Sequence, residues 1–171
     1  MKRPYLLASL LLLALVATSA WSFYRRMSAG EGMTSQATKF LDTLSADQKL
    51  IAVLPYESDS RVNWHFIPFF DKDGKPGRKG LQVRNMDEGQ RKAAKDLLRS
   101  ALSEVGYSKA TQIMATEGLL KELEKGKQGG QIRDTERYYF TVFGTPSADS
   151  KWGLSIEGHH LSLNFVVDKG H

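Results

Sequence analysis

The spacing of apolar residues predicts helices in the first two thirds of the chain and strands near its end. Between residues 34 and 54, apolar positions recur every three or four residues, and Ser45 precedes Gln48 as a helix N-cap would. We therefore expect two short helices here. A longer helix is predicted from Asp87 to Val105, because its apolar residues form one continuous face. That face consists of Ala93, Ala94, Leu97, Leu98, Ala101, Leu102 and Val105.

A further helix is predicted directly after this one. Gly106 is expected to end the first helix and Ser108 to cap the second, which then continues to the glycine-rich segment 125–130. Because only a short turn separates them, the two helices should form a hairpin.

Aromatic and β-branched residues predict strands in three segments, which read RVNWHFIPFF (61–70), RYYFTVFG (137–144) and KWGLSIEGHHLSLNFVVD (151–168). Pro68 places the end of the first strand at a sheet edge or at the strand's exit. Helices come first and strands last, without regular alternation, which favours the α+β class. We expect a helical hairpin packed on a small, mainly antiparallel sheet.

Residues 1–26 have the layout of a secretory signal peptide. Lys2 and Arg3 precede an apolar run, and small residues end at Ala20, where cleavage is expected. The alternative is an uncleaved anchor helix, because Trp21, Phe23 and Tyr24 extend the apolar run. In both cases the rest of the chain should lie outside the cytoplasm, either secreted or periplasmic, or held at the membrane through the uncleaved leader. We expect a linker at 27–35 and a single α+β domain at 36–171.

Charge and cysteine content exclude several classes of partner and chemistry. The formal charge of +5 becomes smaller once Lys2 and Arg3 of the leader are set aside, and no dense block of lysine and arginine remains. Nucleic acid is therefore not an expected partner. The chain has no cysteine, which excludes disulfides, thiolate metal ligands and a thiol nucleophile.

Candidate chemistry is concentrated in the histidine pair near the end of the chain. Neighbouring side chains of a regular strand point to opposite faces, so His159 should face the core and His160 should face a cleft together with Asn164. A bulge at Gly158 is the alternative, because it would turn both rings to one side and make them ligands for a divalent metal. His65 is the other histidine that could join such a site.

Glu117 is the second candidate, because it lies on an apolar face of the predicted second helix between Ala110, Ile113 and Met114. A buried carboxylate must be paired, hydrogen-bonded or protonated. Such a group is a candidate general acid or base. The structural alternative is an ion pair that fixes the helix to a strand or to the Arg133–Asp134 turn.

The chain resembles the family labelled domain of unknown function 3500. The resemblance rests on the motifs WHFIP, GQRKAAKDLLRSALSEVGYSKATQIMATEGLL, RDTERYYFTVFG and WGLSIEGHHLSLNF. The family's recurring motif positions correspond to Trp64, Gln90, Gly106, Tyr107, Glu117, Arg133, Asp134, Tyr138, Gly144, Trp152, Gly158, His159, His160 and Asn164. The family label supplies no activity. The resemblance also implies a longer protein with further histidine- and aspartate-containing motifs, so that a missing C-terminal half or a partner chain would complete the site.

Two functions are consistent with this sequence. One is an extracytoplasmic hydrolase or metal-dependent enzyme with catalytic His160, Glu117 and Arg133; its expected binding residues are His159, His65, Asn164, Trp152, Tyr138 and Asp134. The other is a non-catalytic binding or assembly module of the cell envelope. Convergence of Glu117, Arg133 and a histidine on one pocket would favour the enzyme, and their dispersal would favour the module.

Overall fold

The computed structural model describes residues 28–67, 77–127 and 132–171 and belongs to the α+β class, as predicted. Its helices are α1 (Ala29–Asp42), α2 (Ala46–Ala52), α3 (Glu88–Ser100) and α4 (Glu104–Leu123), with short 3-10 helices at Asp59–Arg61 and Val83–Asn85. Its strands are β1 (Val53–Leu54), β2 (Leu81–Gln82), β3 (Tyr139–Phe143), β4 (Lys151–Gly158) and β5 (Leu161–Asp168). The predicted leader, residues 1–26, lies outside the described residues. Within the described ranges, none of the helices has the length and apolar character needed to span a bilayer.

Capping side chains fix where the first two helices begin. In α1, Ser28 and Glu31 form a reciprocal capping box, and Ser45 and Gln48 form the predicted one at the start of α2. Helix α1 begins at Ala29, so residues 29–35 of the predicted linker are helical. The linker prediction missed this capping pair, which stabilises the helix before its apolar residues begin.

The boundary between α3 and α4 lies earlier than predicted. Helix α3 ends at Ser100, and the side chain of Ser103 caps α4 by accepting a hydrogen bond of 3.1 Å from the backbone N–H of Gly106. Gly106 and Ser108 therefore lie inside α4, and Val105 is exposed rather than buried. Residues 101–103 join the two helices, and α3 makes its more extensive helix contacts with α1.

The sheet is mixed and has β3 and β4 near its centre. Strands β3, β4 and β5 pair antiparallel in sequence order, whereas β1 pairs with β3 in parallel. Strand β2 pairs antiparallel with Tyr139 and Phe140 at the beginning of β3, and β1 pairs with Val142 and Phe143 at the end of β3. The sheet is thus mainly antiparallel, as expected.

One face of this sheet and the helices form the core. The face carries Phe140, Val142, Trp152, Leu154, Ile156 and Val167, and the helices contribute Met33, Ala37, Phe40, Ala94, Leu97 and Leu98. The rings of Phe40 and Phe140 have centroids 5.8 Å apart. Burial of these apolar side chains is the main stabilising contribution to such a fold.

The described part of segment 61–70 is not a strand, so that prediction was wrong. The chain forms the 3-10 helix Asp59–Arg61 and continues to residue 67 without strand pairing. Lys79 donates to the carbonyl of Asn63 at 2.7 Å, and Arg78 donates to the carbonyls of His65 and Ile67. Side chains therefore satisfy carbonyls that a neighbouring strand would otherwise bond.

Candidate functional site

The two adjacent histidines form a tight turn, not the middle of a strand. Gly158 pairs with Leu161, so the chain reverses at His159 and His160 and the predicted strand 151–168 is the hairpin β4–β5. The prediction that the two rings occupy opposite sheet faces was therefore wrong. Gly158 forms the last pair of the hairpin instead of a bulge. A Cβ at this position would lie 2.2 Å from Cδ1 of Tyr138, so the close approach of that ring requires glycine.

Glu117 lies at the centre of the candidate site. Its side chain is buried, and Nη1 of Arg133 contacts Oε1 at 3.1 Å. Nδ1 of His159 lies 3.0 Å from each of the two carboxylate oxygens. The carboxylate thus contacts Arg133, as the ion-pair interpretation predicted, and it also contacts a histidine.

The contacts of Nδ1 favour one tautomer of His159. Nδ1 lies 3.0 Å from both carboxylate oxygens, which accept, and 3.2 Å from Nη1 of Arg133, which donates, so two acceptors and one donor face it. An unprotonated Nδ1 would instead direct its lone pair at the carboxylate oxygens. We therefore assign the hydrogen of neutral His159 to Nδ1, which leaves Nε2 with a free lone pair.

A second carboxylate holds the other edge of the Arg133 guanidinium. Nε and Nη2 of Arg133 contact the two carboxylate oxygens of Glu124 at 3.0 and 3.1 Å. The hydrogen bond from Arg133 lowers the pKa of Glu124, and the same contact raises the pKa of Arg133. Arg133 therefore stays positively charged between two carboxylates of α4 and its C-cap.

His160 covers His159 and lines an open cleft beside α4. The two imidazole rings are stacked, with centroids 3.9 Å apart and planes inclined by 24°. His160 has a φ of +60° and donates its backbone N–H to the carbonyl of Phe66 at 2.7 Å. The cleft has a volume of about 430 Å³. Its walls are formed by Lys109, Gln112, Ile113, Thr116, Glu117, Leu120 and His160.

The same groups approach the arrangement of a metal site but do not match it in direction. Glu117, His159 and His160 each offer a ligand atom, and these atoms lie within 4.8 Å of one another. Ligand atoms about 2.0–2.2 Å from a tetrahedral ion lie roughly 3.3–3.6 Å apart, which this limit allows. The nitrogen lone pairs, however, lie in the ring planes, so two stacked rings do not direct them at one point. Metal binding would require the rings to rotate.

The structure places the other predicted site residues elsewhere. Asn164 is exposed and lines a separate groove with Trp64 and Val166 on the opposite face of the sheet. His65 contributes its backbone carbonyl to the Arg78 contact and is not among the residues lining the α4 cleft.

Three further predicted residues have structural contacts. Trp152 is fully buried in the core, and its Nε1 donates to Thr34 at 3.1 Å. Tyr138 is also buried and donates its hydroxyl to the carbonyl of His159 at 3.1 Å, so it supports the turn from below. Asp134 is buried, pairs with Arg84 and accepts from the backbone N–H of Glu136 at 3.0 Å.

Glu124 was missed by the sequence analysis, although a signal for it exists. It follows Glu117 by seven residues, and residues seven apart lie on the same side of a helix. One arginine can therefore reach both carboxylates. The cleft-lining Lys109, Gln112 and Thr116 carried no comparable signal, because polar residues on an exposed helix face are common.

The chain belongs to the family described as protein of unknown function (DUF3500), whose model matches residues 27–171. This confirms the family resemblance that the sequence motifs indicated. Comparisons with curated proteins and with solved structures give no match.

Proposed function

We propose that this chain is an exported enzyme of the hydrolase type, in which His159 acts as general base. The single observation that carries the proposal is the contact of His159 Nδ1 with both oxygens of the buried Glu117 carboxylate at 3.0 Å. A carboxylate in this position orients an imidazole and stabilises the imidazolium that forms when Nε2 takes a proton. Water is the proposed nucleophile, because the adjacent cleft is open to solvent.

Each charged group has a defined role in this proposal. Glu117 and Glu124 carry two negative charges and Arg133 carries one positive charge, which leaves one negative charge in the cluster. A proton on His159 therefore neutralises the cluster in the transition state. His160 lies over His159 and contacts the molecule bound in the cleft. Arg133 is a positioning residue, because it holds Glu117 and Glu124 on one side of the turn.

Convergence supports an enzyme over a binding module. Glu117, Arg133 and His159 come from α4, from the segment before β3 and from the β4–β5 turn, and they contact one another beside the cleft that Glu117 and His160 line. A buried ion pair alone would need only one carboxylate and one guanidinium. The imidazole adds a titratable group whose second nitrogen remains free, which a purely structural pair does not require.

Hydrolysis of 4-nitrophenyl acetate tests the proposal without knowledge of the natural substrate. We expect turnover above the buffer rate and a loss of about 10²- to 10⁴-fold in His159→Ala. Glu117→Gln should also lose most of the activity, because an amide does not stabilise the imidazolium. His171→Gln is the matched control, since it removes an exposed imidazole outside the cluster. Equal turnover in His159→Ala and His171→Gln would show that His159 contributes no more than an exposed imidazole, and it would overturn the proposal.

A divalent-metal site is a second candidate, favoured by the proximity of ligand atoms from Glu117, His159 and His160. Such a site would leave coordination positions open for water, as in catalytic zinc sites. Calorimetric titration with zinc tests it. Saturable binding that is lost in both His159→Ala and His160→Ala would support a metal-dependent enzyme, whereas binding that is absent or retained in both variants would exclude this form of the proposal.

The proposed location outside the cytoplasm rests on the leader sequence, residues 1–26. Cleavage after Ala20 would release the domain, and retention of the leader would anchor it. Intact-mass measurement on protein from the native host separates these outcomes. A mass that lacks the first 20 residues supports secretion or periplasmic location; the full mass in the membrane fraction supports the anchor.

A further inference from the structure

A second cavity lies on the other side of α4, away from the His159 cluster. Its volume is about 420 Å³, within the range of small-molecule sites. Its walls include Arg91, Ala94, Lys95 and Leu98 from α3, and Tyr107, Thr111, Met114 and Ala115 from α4. Tyr138 and Phe140 of the β3 region form its floor. The residues from each helix follow the spacing of a single helix face, so α3 and α4 form two walls of the space. Val83, Thr135 and Glu136 complete its lining, and the cavity opens to solvent.

Helix α4 leaves this space unfilled, and apolar side chains line its interior. Of the residues in α4, only Ala110 and Glu117 are buried. Leu98, Met114 and Phe140 line the space between α3, α4 and the sheet. An apolar molecule that filled it would remove this surface from water, which is favourable.

The rim of the cavity has an excess of positive charge. Arg91 pairs with Glu136, whereas Lys95 has no ion-pair partner within the described residues. Arg91 and Lys95 lie one helical turn apart on the same face of α3, above the apolar walls. One positive charge is therefore available to a ligand that presents a single negative group at the rim.

We propose that this cavity binds a small amphipathic carboxylate. Its apolar part lies against Leu98, Met114 and Phe140, and its carboxylate lies at the rim beside Lys95. This chemistry follows from the combination of an apolar interior with one unpaired cation at the rim. A carboxylate is attracted electrostatically to Lys95, a neutral ligand lacks this attraction, and a cationic ligand is repelled.

The cavity also contacts the support of the candidate catalytic turn. The ring of Tyr138 forms part of the floor, and its hydroxyl donates to the carbonyl of His159 at 3.1 Å. A bound carboxylate would therefore touch the side chain that holds the β4–β5 turn. The binding itself is independent of the hydrolase proposal, because none of the cavity-lining residues belongs to the His159 cluster.

Calorimetric titration with decanoate, below its micelle concentration, tests the proposal. We expect saturable binding to the purified protein and no comparable binding of decyltrimethylammonium, which has the same chain and the opposite charge. Ala115→Phe should abolish decanoate binding by filling the cavity. Lys95→Met should weaken it about fivefold, as expected for one partly exposed charge.

Control variants distinguish this site from other parts of the protein. Lys109→Met removes a cation on the opposite side of α4 and should leave decanoate binding unchanged, as should His159→Ala. Melting curves of each variant confirm that it is folded. The proposal is overturned if decanoate does not bind saturably, if folded Ala115→Phe binds it as well as the unmodified protein does, or if the cationic analogue binds equally tightly.

Discussion

Nδ1 of His159 lies 3.0 Å from both carboxylate oxygens of Glu117, across a sequence separation of 42 residues. The contact joins the β4–β5 turn to α4, a helix that otherwise buries only Ala110. Glu117 therefore anchors the helix and orients the imidazole at the same time. A substitution here should affect both stability and chemistry, and the two effects must be measured separately.

A double-mutant cycle between Glu117 and Arg133 measures the strength of the anchor. Glu117→Leu leaves Arg133 with Glu124 only, whereas Arg133→Leu leaves the buried Glu117 carboxylate without its cation. We expect Arg133→Leu to be the more destabilising change. It should lower the free energy of unfolding in urea by about 3–5 kcal/mol. The double variant should lose less than the sum of the single changes, by about 1 kcal/mol or more.

The exposed pair Lys92 and Asp96 is the control for this cycle. Its atoms are 2.7 Å apart on the surface of α3, and its coupling should not exceed about 0.5 kcal/mol. If the coupling of Glu117 with Arg133 were equally small, the cluster would not act as an anchor of α4.

The His160→Ala variant should be less stable than the His160→Gly variant. Its φ of +60° is a left-handed conformation that costs an L side chain about 1–2 kcal/mol and costs glycine little. Both variants lose the ring stack with His159, so the difference between them isolates the backbone. We expect His160→Gly to exceed His160→Ala by about 1 kcal/mol in urea unfolding, with equal ester turnover in both.

Lys169 provides a second position of the same kind, with a φ of +50° and no role in the cluster. The replacement of Lys169 by glycine should stabilise the protein relative to the replacement by alanine. A more stable His160→Ala than His160→Gly would show that the turn does not hold this residue in the left-handed conformation.

The helices and the burial of Glu117 could be predicted because both depend on local periodicity. A carboxylate between Ala110, Ile113 and Met114 lies on an apolar face wherever the helix packs. The α3–α4 boundary was predicted too late because glycine was taken as the stop signal, whereas the hydrogen bond from Gly106 to Ser103 begins the next helix.

The turn at His159 and His160 has a signal in the alternation that the predicted straight strand ignored. The core-facing apolar residues occupy even positions before the pair (Trp152, Leu154, Ile156) and odd positions after it (Leu161, Leu163, Phe165, Val167). A straight strand does not explain this change of phase, whereas a two-residue turn does. Length was a second neglected signal, because most strands have about 3–10 residues and segment 151–168 is longer. The partners of His159 depend on tertiary packing, which no local pattern contains.

Replacement of Tyr138 and of Tyr139 by phenylalanine should have different effects on the stability of the protein. Tyr138→Phe removes the hydrogen bond to the His159 carbonyl and should cost about 1 kcal/mol. The buried hydroxyl of Tyr139 has no hydrogen-bond partner among the described residues, so Tyr139→Phe should keep or increase stability. Urea unfolding at about pH 8 compares them.

The advantage of Tyr138 over phenylalanine should decrease at alkaline pH. Burial raises the pKa of Tyr138 above its usual value of 10.0, so the folded state favours the neutral phenol. This contribution is complete below about pH 10 and decreases as the pH rises towards the folded-state pKa. Unfolding at about pH 8 and about pH 11 should show the gap between the unmodified protein and Tyr138→Phe closing. A constant gap would contradict the burial of the hydroxyl.

Glu157 should be among the most sensitive positions in the sheet. Its buried carboxylate contacts Nζ of Lys79 at 2.8 Å and Nη1 of Arg78 at 3.3 Å. Both cations also hold carbonyls of residues 63–67, so Glu157→Gln leaves two charges with little compensation beneath that loop. Burial already lowers the pKa of Arg78, and Glu157 opposes this shift. We expect a loss of about 3–5 kcal/mol in urea unfolding and faster amide exchange in residues 63–67.

Asp168→Asn is the matched control for Glu157→Gln, because it removes a carboxylate from the neighbouring strand of the same sheet. Asp168 pairs with Lys151 at 3.2 Å, and both side chains are about half exposed. Exposed pairs contribute little, so the change should stay within about 0.5 kcal/mol. Amide exchange in residues 63–67 should not change in this variant. Arg78 and Lys79 hold that loop, and the Asp168–Lys151 pair involves neither of them. If Glu157→Gln were no more destabilising than Asp168→Asn, the two cations would hold the loop without the carboxylate.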